Sequence, residues 1–362
     1  MRQIFAAIVL LFVFGGALAH TSGSSFLALR AQHDSTVDAE WDFDIRDLHQ
    51  SLQLDADGDG AVIWAEILAA RPEIATLILE RTHLRAGSGA CMVKSTAAPL
   101  VAEHGDGPYL RFVATFSCPP GPLALDHSGW LEFDAGHRAL LEYQAVDGAR
   151  TQAILASGAV QWQETESRAA HLVRFLAEGM RHLVTGYDHL AFLGVLLLAL
   201  ARRRRSGEPF SLSHMLKRAF GVITAFTLAH SMTLALAATG HVRLPSRPVE
   251  VAIALSVMIA ALLNLSRGAA EHGWKLAFAF GLVHGLGFAG ALAELASGHI
   301  DLIALAAFNA GIETAQVAIA AAAVPLIWWL FRGLHSERVG VPLASLSVAC
   351  VAAVWVGARL AA

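Results

Sequence analysis

The sequence has few charged residues and few cysteines. Only 15% of its 362 residues are charged and 55% are hydrophobic, a balance that is typical of membrane proteins. The net charge of −4, with no basic patch outside the loops that flank helices, argues against nucleic acid as a partner. The chain contains neither the G-x4-G-K-[ST] loop of an ATP-driven pump nor the H-E-x-x-H helix of a zinc protease.

Residues 1–19 predict an export signal. Met1-Arg2-Gln3 is a short positive segment, and the run from Ile4 to Phe14 is apolar but too short to span a membrane. Ala17-Leu-Ala19 is a cleavage motif. We therefore expect a signal peptide, and a mature chain that begins at His20 outside the cytoplasm.

Three cysteines are present, and none belongs to a C-x-x-C motif. Cys91 and Cys118 lie in the more polar half of the chain, whereas Cys350 lies in the last apolar segment. Two cysteines in an exported domain predict one disulfide between Cys91 and Cys118, and a pair of buried thiols is the alternative.

Residues 41–85 contain a calcium-binding motif. A predicted helix from Trp41 to Leu52 precedes the loop D-x-D-x-D-G-x5-E, and residues 64–82 continue as a second helix. This EF-hand-like loop supplies three aspartates, one backbone carbonyl and a bidentate glutamate, which are Asp55, Asp57, Asp59, Ala61 and Glu66. An acidic turn without metal is the alternative. Because EF-hands usually pair and the sequence has one loop, we expect a structural Ca²⁺ site rather than a sensor.

Residues 90–163 change to short alternating apolar runs separated by turn signals such as Pro119-Pro-Gly-Pro122. The predicted strands cover residues 91–95, 109–118, 129–133, 139–146, 152–156 and 159–163. They predict a small antiparallel β-sandwich, which completes an extracytoplasmic domain over residues 20–165. His104, His127 and His137 fall in or near its loops, where histidines are usually solvated, and we assign them no role.

Residues 171–362 predict a bundle of six transmembrane helices, since about 20 apolar residues span a bilayer. The predicted helices cover residues 171–201, 216–239, 249–266, 275–297, 302–331 and 341–361. Ten cationic residues flank one side: Arg202, Arg203, Arg204, Arg205, Lys217, Arg218, Arg267, Lys275, Arg332 and Arg338. Three flank the other side: Arg243, Arg247 and Arg359. The positive-inside rule then places both termini outside the cytoplasm.

Ionisable side chains recur inside these apolar helices. The first predicted helix carries His182, Asp188 and His189, and a carboxylate at the centre of a membrane helix costs roughly 2.5–3.5 kcal/mol on insertion scales. The later helices carry His230, His284 and Glu313. Such groups persist where they bind an ion or relay protons, and interhelical hydrogen bonding is the alternative. Imidazoles with one or two carboxylates suit nickel, cobalt or zinc, whereas scattered sulfur ligands argue against copper(I).

The segment His182-Leu-Val-Thr-Gly186-Tyr-Asp188-His189 resembles the H-x3-G-x-D-H signature of the HupE/UreJ family, which comprises membrane proteins linked to nickel supply for hydrogenase and urease. The H-x4-D-H motif of nickel–cobalt permeases is a looser relative. Segments around His230, His284 and Asn309 are similar to the family segments A-H-S-x-T-L-A, G-x-x-H-G-L-G-F and F-N-x-G-x-E. The subgroup with an added N-terminal extracytoplasmic domain is the most similar.

The resemblance covers most of residues 170–320 and departs from the family pattern at Leu183, where the family has proline. It implies a secondary permease for a divalent transition metal, with nickel favoured, rather than an enzyme. The expected transport ligands are His182, Asp188, His189, His230, His284 and Glu313. His182 is expected at the outer entrance, and Ser231, Asn309 and Gln316 are expected to surround the ligands.

Two other functions are compatible with the same residues. One is a membrane metalloenzyme in which these side chains hold a catalytic metal, and the other is a calcium-binding receptor or assembly factor. We expect a multi-pass protein of the bacterial cytoplasmic (inner) membrane with a periplasmic N-terminal domain. Its expected partners are the lipid bilayer and the metal ion, and a homo-oligomer or an extracytoplasmic metal-delivery protein remains open.

Overall fold

A computed structural model describes residues 24–104, 107–132, 137–156, 161–202, 211–242, 244–266, 273–287, 301–331 and 334–361. These residues divide into two compact units. The first runs from Ser24 to Arg174 and includes Asp301, and the second contains the remaining residues from Phe175 onward. The predicted signal peptide and His20 lie outside the described residues.

Among the described residues, the first unit is built on a seven-stranded sheet in the order β10-β9-β1-β2-β7-β5, with β6 also paired to β7. Its strands are β1 (Ser24–Ala31), β2 (Thr36–Asp44), β5 (Met92–Thr96), β6 (Leu100–His104), β7 (Gly107–Ser117), β9 (Arg138–Gln144) and β10 (Arg150–Leu155). All its pairs are antiparallel except β1 with β9, which is parallel.

A second, four-stranded sheet among the described residues has the order β11-β8-β3-β4. It comprises β3 (His83–Ala86), β4 (Gly89–Ala90), β8 (Leu123–Asp126) and β11 (Gln161–Gln163). One hydrophobic core takes side chains from both sheets, including Trp41, Phe43, Leu125 and Trp162. The prediction of a β-rich N-terminal region with antiparallel sheets is therefore confirmed.

The central strands β1 and β2 correct the sequence prediction. We predicted a helix from Trp41 to Leu52, but the strand β2 continues through Asp44 and the helix α1 covers only Ile45–Leu52. Trp41 and Phe43 alternate inward and are fully buried, which is the period of a strand. Asp44 then caps α1 by accepting a hydrogen bond from the Arg46 amide at 2.8 Å.

Two smaller corrections concern the same unit. The predicted strand 129–133 is a 3₁₀ helix over Ser128–Glu132. The predicted helix 64–82 is two helices, α2 (Trp64–Ala69) and α3 (Arg71–Arg81). Pro72 lies in the first turn of α3, where its missing amide costs nothing, and it favours a new helix start there.

The disulfide is confirmed. Cys91 precedes β5 and Cys118 follows β7, and these two strands pair with Met92 opposite Ser117. The pairing brings the two cysteines together, and they form the predicted bond. Cys350 is the free cysteine among the described residues.

The second unit is helical. Its described helices are α4 (Arg168–Thr185, which begins in the first unit), α5 (Tyr187–Leu200), α6 (Leu212–Ala238), α7 (Ser246–Leu263), α8 (Gly273–Gly285), α9 (Leu302–Phe331) and α10 (Leu334–Ala361). Four of them (α6, α7, α9 and α10) are long and apolar enough to cross a membrane, and α4 with α5 adds a fifth span if the bent pair is counted as one. The prediction of a polytopic helical bundle is confirmed at this level.

Two of the six predicted spans differ in detail. The first, predicted as one helix over 171–201, is bent by 73° between α4 and α5. The fourth, predicted over 275–297, is described only as the thirteen-residue helix α8. Leu286 and Gly287 form a turn after it, and residues 288–297 lie outside the described residues.

Candidate metal centre

The bend at Gly186 turns two histidines toward each other. On a straight helix His182 and His189 would lie about 10 Å apart along one face. Here the helix breaks between them, and their ring centroids are 4.8 Å apart. A Cβ at Gly186 would lie 2.8 Å from both the His182 carbonyl oxygen and His189 Nδ1, so the glycine of the signature permits this close approach.

A third histidine from another helix joins this pair. One ring nitrogen from each of His182, His189 and His230 lies within 4.8 Å of the others. His284 on α8 lies beside them, with its ring centroid 5.0 Å from that of His189. His189, His230 and His284 are buried. These four predicted residues are therefore close together in the second unit.

Hydrogen bonds fix the tautomer of His230. Asn309 Nδ2 donates to the Leu305 carbonyl at 2.9 Å, so the amide oxygen of Asn309 faces the imidazole. That oxygen accepts from His230 Nδ1 at 3.0 Å. The proton is therefore on Nδ1, and Nε2 keeps its lone pair. This Nε2 is buried and has no hydrogen-bond partner among the described residues.

A serine hydroxyl fixes the tautomer of His284, with the proton on the other ring nitrogen. Ser256 Oγ on α7 donates to the Ile253 carbonyl at 2.6 Å. Its oxygen therefore accepts the proton of His284 Nε2 at 2.9 Å, which leaves the lone pair on Nδ1. That Nδ1 is buried without a partner among the described residues. Sequence reasoning missed Ser256, because a single serine in an apolar helix looks like an ordinary packing residue.

Close crossings of helices hold the histidines in place. A Cβ at Gly311 of α9 would overlap the Leu176 carbonyl of α4, and one at Gly179 of α4 would overlap the Phe308 carbonyl of α9. A Cβ at Gly285 of α8 would likewise overlap the His230 carbonyl region of α6. These glycines let backbones touch, so the rings of neighbouring helices reach one another.

The two predicted carboxylate ligands contact other groups. Asp188 forms an ion pair with Arg359 of α10, whose Nη2 lies 2.7 Å from Oδ2. Arg359 also donates to the Glu250 carbonyl at 2.9 Å. Glu313 accepts from Thr224 Oγ1 at 2.8 Å. Neither carboxylate belongs to the group of converging ligand atoms in the described part of the chain.

Of the three residues predicted to surround the ligands, one contacts a histidine and two do not. Asn309 contacts His230 directly. Gln316 accepts from Thr227 Oγ1 at 3.0 Å, and Ser231 donates to the Thr227 carbonyl at 2.7 Å. The bond to Gln316 links α6 to α9, the bond from Ser231 lies within α6, and neither reaches an imidazole.

The acidic loop of the first unit has its carboxylates turned inward. Oxygen atoms of Asp55, Asp57 and Asp59 lie within 4.8 Å of one another. Asp55 accepts from the amides of Gly58 at 2.7 Å and Gly60 at 2.9 Å. The bond from Gly60, with the others, holds the pKa of Asp55 below its ordinary value. Gly58 and Gly60 have φ values of 74° and 87°, which favours glycine at both positions.

Glu66 closes this loop from its far end. Its Oε2 accepts from the Ile63 amide at 2.9 Å, and its Oε1 accepts from the Ala56 amide at 2.7 Å. Both bonds lower the pKa of the Glu66 carboxyl, so it stays ionised at neutral pH. The loop therefore gathers four ionised or ionisable carboxylates, the donor type that hard cations prefer.

The apolar helices are those of a polytopic membrane protein, and its helical unit holds a cluster of histidines. The family described as HupE / UreJ protein matches residues 159–359, more than half of the chain, and the chain belongs to that family. The resemblance seen in the sequence is thereby confirmed. The family is linked to nickel and cobalt transport and is not an enzyme family. No curated protein and no solved structure matches the chain significantly.

Proposed function

We propose that the protein is a secondary transporter that carries a divalent transition metal across the bacterial inner membrane, with nickel favoured over cobalt and zinc. The observation that carries this proposal is the bare lone pairs of His230 Nε2 and His284 Nδ1 beside His189. Neutral imidazole nitrogens are the ligands that such metals take. Accumulation of radioactive nickel by cells that express the chain tests the function, and accumulation at the empty-vector level contradicts it.

The carboxylates supply the negative charge that neutral histidines lack. Four neutral imidazoles leave the double charge of the ion uncompensated in a low-dielectric bundle. Asp188 and Glu313 remain our proposed anionic ligands, and each must first leave its present partner, Arg359 or Thr224. In this proposal the ion replaces Arg359 as the partner of the Asp188 carboxylate.

A charge swap separates a ligand role of Asp188 from a purely structural one. Asp188→Arg and Arg359→Asp each leave like charges facing each other, so we expect both single variants to be less abundant in the membrane. The double variant restores an ion pair and should restore abundance. It places the carboxylate on α10, so nickel accumulation should stay at least about 10-fold below wild type. Accumulation at the wild-type rate in the double variant would show that Asp188 is structural only.

The orientation proposed from the sequence places the first unit in the periplasm. Support comes from the disulfide between Cys91 and Cys118, since such bonds persist in oxidising compartments. The asymmetry of cationic loop residues supports the same orientation. A reporter fused after Ala362 should therefore be active in the periplasm only.

We further propose that the acidic loop binds Ca²⁺ and stabilises the first unit. The inward carboxylates of Asp55, Asp57 and Asp59 and the closing position of Glu66 support this. A ligand present at 100 times its Kd stabilises the folded state by about 2.7 kcal/mol. We expect the melting midpoint of the purified protein to rise by about 5–10 °C with calcium.

The matched variants for this loop are Glu66→Gln and Glu73→Gln. Glu66→Gln removes the bidentate carboxylate and should abolish the calcium-dependent rise. Glu73 is exposed on α3, so Glu73→Gln should melt as wild type does. A midpoint of the wild-type protein that is equal in calcium and in chelator rejects the calcium site.

A further inference from the structure

Two histidines that we assigned no role form a buried pair in the first unit. His127 follows β8 and His137 precedes β9, and each residue is 2% exposed. Their Nε2 atoms face each other at 3.4 Å. The expectation that these histidines are solvated is therefore wrong. The two strands place them against the core, where Phe43 and Trp130 stack on them.

A polar side chain lies behind the outer nitrogen of each ring. Asp47 Oδ2 lies 3.3 Å from His137 Nδ1, an ion-pair distance without hydrogen-bond geometry. Thr82 Oγ1 lies 3.0 Å from His127 Nδ1, and Trp130 Nε1 donates to the same hydroxyl at 3.1 Å. A carboxylate or hydroxyl behind the ring is the usual support of a metal-ligating histidine.

The separation of the inner nitrogens matches a shared ion. Two nitrogens at about 2.1 Å from a tetrahedral zinc ion lie about 3.4 Å apart. The ring centroids are 5.4 Å apart, so both rings point into the gap. Ser25 Oγ lies 2.9 Å from His137 Nε2 and is fully buried. Ser25 therefore offers an oxygen ligand beside the two Nε2 atoms.

We propose that His127, His137 and Ser25 hold a tetrahedral divalent first-row metal ion in the first unit. Two imidazoles with an oxygen ligand suit zinc, which is almost always four-coordinate and tetrahedral in structural sites. Because all three side chains are buried, the ion is enclosed and exchanges slowly, unlike the cargo of the membrane histidines. The site is independent of the proposed transport function, since it lies in the other unit and shares no residue with it.

The test measures zinc bound per chain in the full-length protein purified in detergent. The parent variant carries His189→Ala and His230→Ala, which remove two of the four clustered membrane histidines, and excess calcium occupies the acidic loop. After equilibration with zinc and removal of free metal, we expect the His137→Gln derivative to contain one zinc per chain less than the parent. His33 is exposed in the β1–β2 turn, so His33→Gln is the matched control and should retain the parent value.

A milder variant, Asp47→Asn, tests the site if His137→Gln fails to fold. Thiol labelling of the denatured, unreduced protein reports folding, since only Cys350 reacts when the disulfide has formed. Asp47→Asn preserves shape and removes the charge behind His137, so we expect zinc affinity to fall by about 10–100-fold. Cobalt(II) should give the intense visible absorption of a tetrahedral site in the parent and in the His33→Gln control, but not in the His137→Gln derivative. Equal zinc content and affinity in parent, His137→Gln and Asp47→Asn would overturn the site and leave a hydrogen-bonded histidine pair.

Discussion

Cells that express the His189→Ala or His230→Ala variant should accumulate no more nickel than cells without the protein, although each variant reaches the membrane at the wild-type level. Each substitution removes a ring nitrogen from the converging group. Loss of an outer hydrogen-bond partner alone costs about 10–100-fold in metal affinity, so loss of a ligand should cost at least about 100-fold. His182 supplies the third converging nitrogen, so His182→Ala should lower nickel binding as well as accumulation.

The partners of the histidines should give graded effects. Asn309→Ala and Ser256→Ala free the tautomers of His230 and His284, and we expect accumulation about 10–100-fold below wild type. His241 is an exposed histidine at the end of α6, so His241→Ala serves as the control. Wild-type accumulation in the His189 and His230 variants, or equal damage in the His241 variant, would contradict the proposed site. His272, a second loop control, lies outside the described residues.

Gly311→Ala should strongly destabilise the helical unit. The added Cβ overlaps the Leu176 carbonyl of α4, and backbone cannot move aside as a flexible side chain does. Overpacking costs about 1–3 kcal/mol even where side chains can yield, so we expect at least that loss. We expect this loss of stability to appear as a lower melting midpoint in detergent and a reduced abundance in the membrane.

Two glycines of the same unit provide matched controls. A Cβ at Gly221 of α6 or at Gly357 of α10 meets no heavy atom within 4 Å. Alanine favours a helix interior over glycine by about 0.5–1 kcal/mol, so Gly221→Ala and Gly357→Ala should be neutral or slightly stabilising. A Gly311→Ala protein that melts with these controls would show that α4 and α9 do not cross this closely.

Much of the candidate site could be predicted because imidazoles inside apolar helices are costly and therefore rare. His189, His230 and His284 stood out for that reason, and the signature around Gly186 identified the family. The bend at Gly186 could not be predicted, since an isolated glycine inside a helical pattern is tolerated and does not by itself end a helix. Depth along a straight helix therefore misplaced His182 as a distant entrance, when its ring contacts that of His189.

The partners of the charged groups could not be predicted either. Arg359 is 171 residues from Asp188, and no local pattern links residues at that separation. In the first unit, the acidic residues of β2 alternate with Trp41 and Phe43, but the EF-hand motif favours a preceding helix and outweighed that alternation. The paired histidines His127 and His137 become neighbours only when β8 and β9 pack on one core.

Flux of radioactive nickel into vesicles that contain only the purified protein tests the central claim most directly. A negative internal potential favours the entry of a cation by about 2.3 kcal/mol per charge per 100 mV, so uptake needs no other component. We predict uptake above that of protein-free vesicles for the wild type, competition by cobalt and zinc, and the protein-free rate for a variant that carries both His189→Ala and His230→Ala. A wild-type protein that binds nickel but gives only the protein-free rate, or a double variant that transports as the wild type does, would contradict the account.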